Sequence, residues 1–240
     1  MPADDDAPAL SATTAAALAS FLAARDAGQD DDEGGAGAAC PFKEDWGLSQ
    51  FWYTGATAAR LAAALAAAVA NPAAKALPRV ACVACPSLFR ALRERHAATV
   101  DAHLFEHDDR FAALGPYTRY DFNEPLAVPQ EMLGAYEAVA ADPPYLAATC
   151  FAKTAETVRA LQSSPSAPIL IMTGAVMQGN VWRELGARPA AFRPAHAHKL
   201  GNEFLASTNC APLAAGLDGW DEELGAELDA EGGEGGGGGK

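Results

Sequence analysis

Leu, Ile, Val, Phe and Trp mark the buried positions of this chain better than Ala, because runs such as "ARLAAALAAAVA" (59–70) make Ala common everywhere. Spacings of three and four residues, the mark of a helix with one buried face, run through 55–70, 86–97, 146–162 and 175–186. The first ends at Asn71-Pro72. The second opens on Pro86, which suits a first helical turn because the missing N–H has no partner there. Short apolar runs of strand length lie between the helices: "RVACVA" (79–84), "VDAHLFE" (100–106), "YTRYDF" (117–122), "YEAVAAD" (136–142) and "APILIMTG" (167–174). Two more strands are expected near 188–193 and 203–208. Such alternation predicts an α/β fold, a parallel or mostly parallel sheet with helices on both faces. Ligands of such sheets bind beyond the carboxyl ends of the strands. Glu106, Asp121 and Asp142 all fall at those ends. One acid there is an ordinary loop residue; three in succession suggest a site.

Charge divides the chain. Of the net −14, residues 1–39 and 217–240 each hold eight acids and one base, while 40–216 holds 15 of each. A neutral body lacks the basic footprint of a nucleic-acid binder. The acidic ends suit solubility, or attraction to a basic partner. The expected organisation is an N-terminal helix (12–25, capped by Ser11) with an acidic Gly-rich linker over 1–39, one folded domain over 40–218, and an acidic Gly-rich disordered tail over 219–240. The five cysteines are odd in number and scattered, unlike a secreted disulfide framework. "CVAC" (82–85) has metal-ligand spacing, but no second pair follows, so no metal is expected. The acidic N-terminus has no signal character, and no apolar run reaches the ~18 residues of a membrane span. A cytoplasmic monomer without membrane contact is the expectation.

Two stretches carry candidate chemistry. "DWGLSQFWYT" (45–54) packs Phe51, Trp52 and Tyr53 together, either as an anchor on the core or as the wall of a ligand site. "VAADPPYL" (139–146) runs an apolar strand into Asp142, two prolines and Tyr145. Adjacent prolines stiffen the backbone and remove two donors, an arrangement suited to holding an amino group still.

"DPPY" after an apolar strand resembles the catalytic loop of amino-group methyltransferases that use S-adenosyl-L-methionine. Together with "DWGLSQFWY", "FEHDDRF", "YDFNEPL", "TAETV", "TGAVM" and "FRPAHAHKLGNEF", in that order, the chain from about 10 to 218 resembles the eukaryotic family of lysine methyltransferases acting on translation elongation factor 1-alpha. Members of that family were earlier described as N6-adenine DNA methyltransferases. The resemblance implies a seven-stranded Rossmann-like sheet closed by a hairpin, S-adenosyl-L-methionine as cofactor, and a protein substrate. It places Asp142, Pro143, Pro144 and Tyr145 in the catalytic loop, with Asp142 also among the cofactor contacts. It puts Glu106 on the cofactor ribose with Asp108 as fallback, Asp121 near the adenine, and Trp52 and Tyr53 along the cofactor. Phe51, Tyr145, Asn202 and Glu203 fall on the substrate side, with Asn202-Glu203-Phe204 a late motif. The turn after the first strand, "CVACPSLF", lacks glycine, and Ser207 and Lys199 depart from the residues usual in relatives. An N6-adenine nucleic-acid methyltransferase and a non-catalytic cofactor-binding scaffold are the competing readings.

Overall fold

In a computed structural model, the described residues are 42–71 and 73–233. The proposed helix over 12–25, the linker and the last seven residues lie outside them. Seven strands form one sheet: β1 Arg79–Val83, β2 Asp101–Glu106, β3 Tyr117–Arg119, β4 Ala138–Ala141, β5 Ile169–Gly174, β6 Arg188–Pro189 and β7 Phe204–Thr208, in the order β3-β2-β1-β4-β5-β7-β6. Strands β1 to β5 pair in parallel, and β7 runs antiparallel to both β5 and β6. The helices are α1 Gly55–Val69, α2 Pro86–Arg95, α3 Ala148–Leu161, α4 Gln178–Leu185, α5 Ala211–Gly216 and α6 Glu222–Gly233.

The pleat sends alternate residues of each strand to opposite faces. Val80, Cys82, Leu104 and Ala140 join Leu61 and Leu65 of α1, Leu88 and Leu92 of α2 and Leu213 of α5 in one apolar layer. Ala81, Val83, Phe105 and Val139 join Phe151 and Val158 of α3 and Val181 of α4 in the other. The alanines of α1 are working contacts, with Ala58, Ala62, Ala64 and Ala66 buried. At Gly216 a Cβ would stand 2.8 Å from the Ala64 Cβ, so α5 can lie this close to α1 only with glycine there.

Three expectations change. The strand expected over 188–193 is two residues long, because beyond Ala190 the backbone leaves β7 and donates from Ala191 and Phe192 to Gly219 O and Leu217 O, while Arg193 takes up the Ala190 and Ala191 carbonyls. The strand expected over 117–122 ends at Arg119. The tail expected to be disordered from 219 is ordered through 233. Trp220 bridges to Ala190, the Asp221 side chain caps Leu224 N–H at 3.0 Å, and α6 buries Leu228. Arg188 donates to the Gly225 carbonyl at 3.1 Å and pairs with Asp229 at 2.6 Å. Among the described residues no helix is long and apolar enough to cross a membrane.

Candidate active site

Strand order reverses at β1. Val83 pairs with Phe105 on one side and Ala141 on the other, so Glu106 and Asp142 are each one residue past the same rung. They flank β1, two strand spacings apart, which is roughly 9–10 Å. Backbone bonds pin both strand ends: Asp142 N–H donates to Val83 O at 3.0 Å, and Tyr120 N–H to Glu106 O at 3.0 Å.

The turn between them needs a left-handed residue, and without a glycine Ala84 supplies it at φ 52°, at a cost of about 1 kcal/mol. Cys85 follows, buried, with its Sγ 3.7 Å from the Ala140 carbonyl. Burial pushes this thiol well up, with Cys82, Asp142 and Glu106 adding to the effect. Cys85 is therefore an uncharged part of the core below the carboxyls, with Cys82 buried in the same layer. Among the described residues no group of three or more His, Cys, Asp or Glu side chains is placed to hold a metal.

Each carboxyl has one oxygen held by the protein. Glu106 Oε1 accepts the N–H groups of His107 at 2.8 Å and Asp108 at 3.3 Å. Asp142 Oδ2 accepts the Tyr53 phenol at 2.7 Å. The other oxygen of each takes no hydrogen bond from the described residues. Burial raises both acids to about 7. At Glu106 the two N–H groups pull back and the Asp108 charge adds to the rise. At Asp142 the Tyr53 hydrogen bond pulls back and the Glu106 charge adds.

Asp108 differs. Burial pushes it up, but hydrogen bonds from Arg110 and Gln50 win and hold it down at about 2. Both donors are close, Gln50 Nε2 at 2.9 Å and Arg110 at 2.6 Å. That carboxylate ties the 45–54 segment to the loop after β2. Asp121 lies at the same end of the sheet, beyond β3, and accepts Asn123 N–H at 2.8 Å in a turn.

The aromatic stretch splits. The side chain of Trp52, expected along the cofactor, packs into the core against Phe111 at 5.7 Å and donates its indole N–H to Phe42 O at 2.7 Å. Neighbouring side chains of an extended segment point opposite ways, and Tyr53 turns to Asp142. Phe51 is half-buried against Trp46 at 5.9 Å. Tyr145 is exposed at the mouth of the site, its ring 5.7 Å from Phe122.

The late motif has a structural use. Glu203 pairs with Arg193 at 2.7 Å, and Arg193 also holds Asp221. Asn202 is exposed, and Phe204 sets its ring edge on His196 at 4.5 Å. Ser207 is fully buried in β7 and donates to Gln178 at 2.8 Å, away from the site. Lys199 is exposed.

Sequence reasoning assigned no role to His196, Gln50, Arg193 or Glu44. The His196 backbone bridges to Tyr53 and its ring lies 4.5 Å from that phenol ring. Burial holds its imidazole down at about 4, against an opposing pull from Glu44. Glu44 accepts Trp52 N–H at 2.8 Å and pairs with His198 at 2.9 Å, fastening the 45–54 segment beside the 193–198 loop. The "AHAH" run was the only local trace of this crossing.

Residues 44–212 match the family model described as "Probable N6-adenine methyltransferase". The chain is 39% identical over 220 residues to mouse "EEF1A lysine methyltransferase 1", covering 90% of this chain and 96% of that protein. It is 38% identical over 221 residues to the human protein of the same name, covering 90% and 96%. It is 37% identical over 219 residues to the Caenorhabditis elegans "Protein-lysine N-methyltransferase M142.8", covering 87% and 97%.

Proposed function

Because the chain belongs to the methyltransferase family that those relatives represent, we propose that it transfers a methyl group from S-adenosyl-L-methionine to a lysine of translation elongation factor 1-alpha. One observation carries the reading: two carboxyls flank β1, each with one oxygen held by the protein and one left for a ligand. The arrangement fits the cofactor. The Glu106 oxygen without a donor can accept a ribose diol in charge-assisted bonds worth about 1.5–3 kcal/mol. Asp121 stands farther out along the same edge, on the adenine side. When bound, the cofactor supplies a methyl group on a sulfonium.

The protein supplies position, an effect worth up to ~7–11 kcal/mol when reacting atoms are well aligned. Asp142 Oδ1 and the Pro143 carbonyl accept the N–H groups of the incoming amine, which aims its lone pair. Proline suits this place because it cannot donate and its fixed φ keeps the carbonyl aimed. Tyr145 packs against the lysine stem. A lysine must shed a proton before it attacks, since its ordinary pKa is ~10.4; desolvation between the loop and Tyr145 favours the neutral amine.

The test uses labelled cofactor with cytosolic extract and with DNA, and Asp142→Ala as control. Label in one band at the elongation factor's mass, absent with Asp142→Ala, is expected. Label in DNA alone would replace the lysine substrate with adenine. Equal labelling by Asp142→Ala would remove the DPPY loop from catalysis.

A further inference from the structure

Tyr53 and Asp142 lie 89 residues apart and share a hydrogen bond of 2.7 Å. Tyr53 is held independently of that bond. Its backbone is stitched to the 195–197 segment by Thr54 N–H on Ala195 O at 2.9 Å and Ala197 N–H on Trp52 O at 2.7 Å. Its ring is 1% exposed and faces His196 on one side. A phenol so fixed cannot follow Asp142 if the loop moves; Asp142 must come to it.

We propose that Tyr53 is a positioning residue that clamps Asp142 Oδ2, so that Oδ1 alone faces the amine. This rests on Asp142 as the amine acceptor. It reassigns Tyr53 from the cofactor wall to the substrate side of the chemistry.

The charged groups around Asp142 set what the clamp does. Glu106 at the end of β2 disfavours the Asp142 charge. Cys85, at the entry to α2, is thiol rather than thiolate, because burial pushes it up. His196 lies behind the Tyr53 ring and is neutral around pH 7, because burial holds it down at about 4. The Tyr53 phenol, itself pushed well up by burial and then by Asp142, stays protonated and donates. Among the described residues it is the one group that favours the ionised carboxyl. Removing the hydroxyl should therefore move the Asp142 titration to higher pH.

Tyr53→Phe should bind S-adenosyl-L-methionine within about twofold of the parent, since no cofactor contact is lost. Its single-turnover rate at pH 7 should fall about tenfold or more. The titration midpoint of Asp142, followed by NMR of an isotope-labelled aspartate carboxyl carbon, should rise by about one unit. A ring-fluorinated tyrosine placed at 53 is a stronger donor and should move that midpoint down; this variant decides the matter if Tyr53→Phe fails to fold. Parent rate and titration in Tyr53→Phe, or no shift with the fluorinated ring, would overturn the clamp. So would a loss of cofactor affinity as large as the loss of rate. Asp142→Ala separates the two levels. If it keeps full activity, the catalytic reading and the clamp fall together; if it is inactive while Tyr53→Phe behaves as the parent, only the clamp falls.

Discussion

Glu106, the proposed ribose acceptor, shows how a carboxyl kept for a ligand can cost stability. Burial raises its carboxyl to about 7, whereas an unfolded glutamate titrates near ~4.3. Between those values the folded state holds more protons than the unfolded state. Stability from this group is thus full at low pH and lost as pH rises from about 4 to 7. Asp142, also raised to about 7, has the same sign. His196 runs the other way on the acid side: with its folded pKa at about 4, its contribution is present at neutral pH and lost as pH falls below ~6.5. Glu106→Gln should then raise the melting temperature at pH 8 by about 2–4 °C and leave it nearly unchanged at pH 4. The same change should weaken cofactor binding about tenfold, because the acceptor loses its charge. Melting curves at the two pH values, with calorimetry of the cofactor, check both halves. A variant destabilised at pH 8 would mean that the carboxylate is held by donors rather than stranded by burial. The position of both acids at strand ends, and of the DPPY segment just after β4, was legible. That Tyr53 rather than Trp52 reaches Asp142 was not, because which side of an extended segment faces the site depends on partners 89 and 143 residues away along the chain.

At the scale of elements, alternating apolar runs predicted the five parallel strands and the helices between them. Each buried strand face leaves a local imprint, so this part of the fold could be read directly. Alanine misled in the other direction. A run such as "ARLAAALAAAVA" looks like composition alone, yet α1 uses its small side chains to let α5 approach. The evidence for that contact sits at Gly216, about 150 residues on, where a lone glycine in a short helix carries no visible signal. Gly216→Ala must displace α5 or α1 and should cost about 1–3 kcal/mol, or about 2–4 °C of melting temperature per kcal/mol. Ala63→Ser, on the exposed side of the same helix, should change little. Equal, small effects of both substitutions would show that α5 shifts without penalty. The shortening of β6 was equally hidden, since it depends on backbone bonds from Ala191 and Phe192 to Gly219 and Leu217 and on one guanidinium that answers to the Ala190 and Ala191 carbonyls, Glu203 and Asp221 at once.

For the whole molecule, acidity at the C-terminal end was read as solvation, and part of it is structure. Asp221 and Asp229 meet Arg193 and Arg188, and α6 packs beside β6, the edge strand of the sheet. An exposed ion pair such as Arg188–Asp229 adds only ~0–1 kcal/mol. The buried Leu228 adds about 1.5–3 kcal/mol, and the helix shields an edge that would otherwise offer unpaired backbone groups. A chain ended after Asp221 should therefore melt about 3–8 °C below one ended after Gly233 and aggregate more readily. That difference should persist at high salt, because most of it is apolar burial. Any loss of turnover that fades as salt is raised would instead mark an attraction between the acids of 222–240 and a basic substrate, acting over a screened distance of ~10 Å at moderate ionic strength. Equal melting of the two truncated chains would return α6 to the role of a solvated tail.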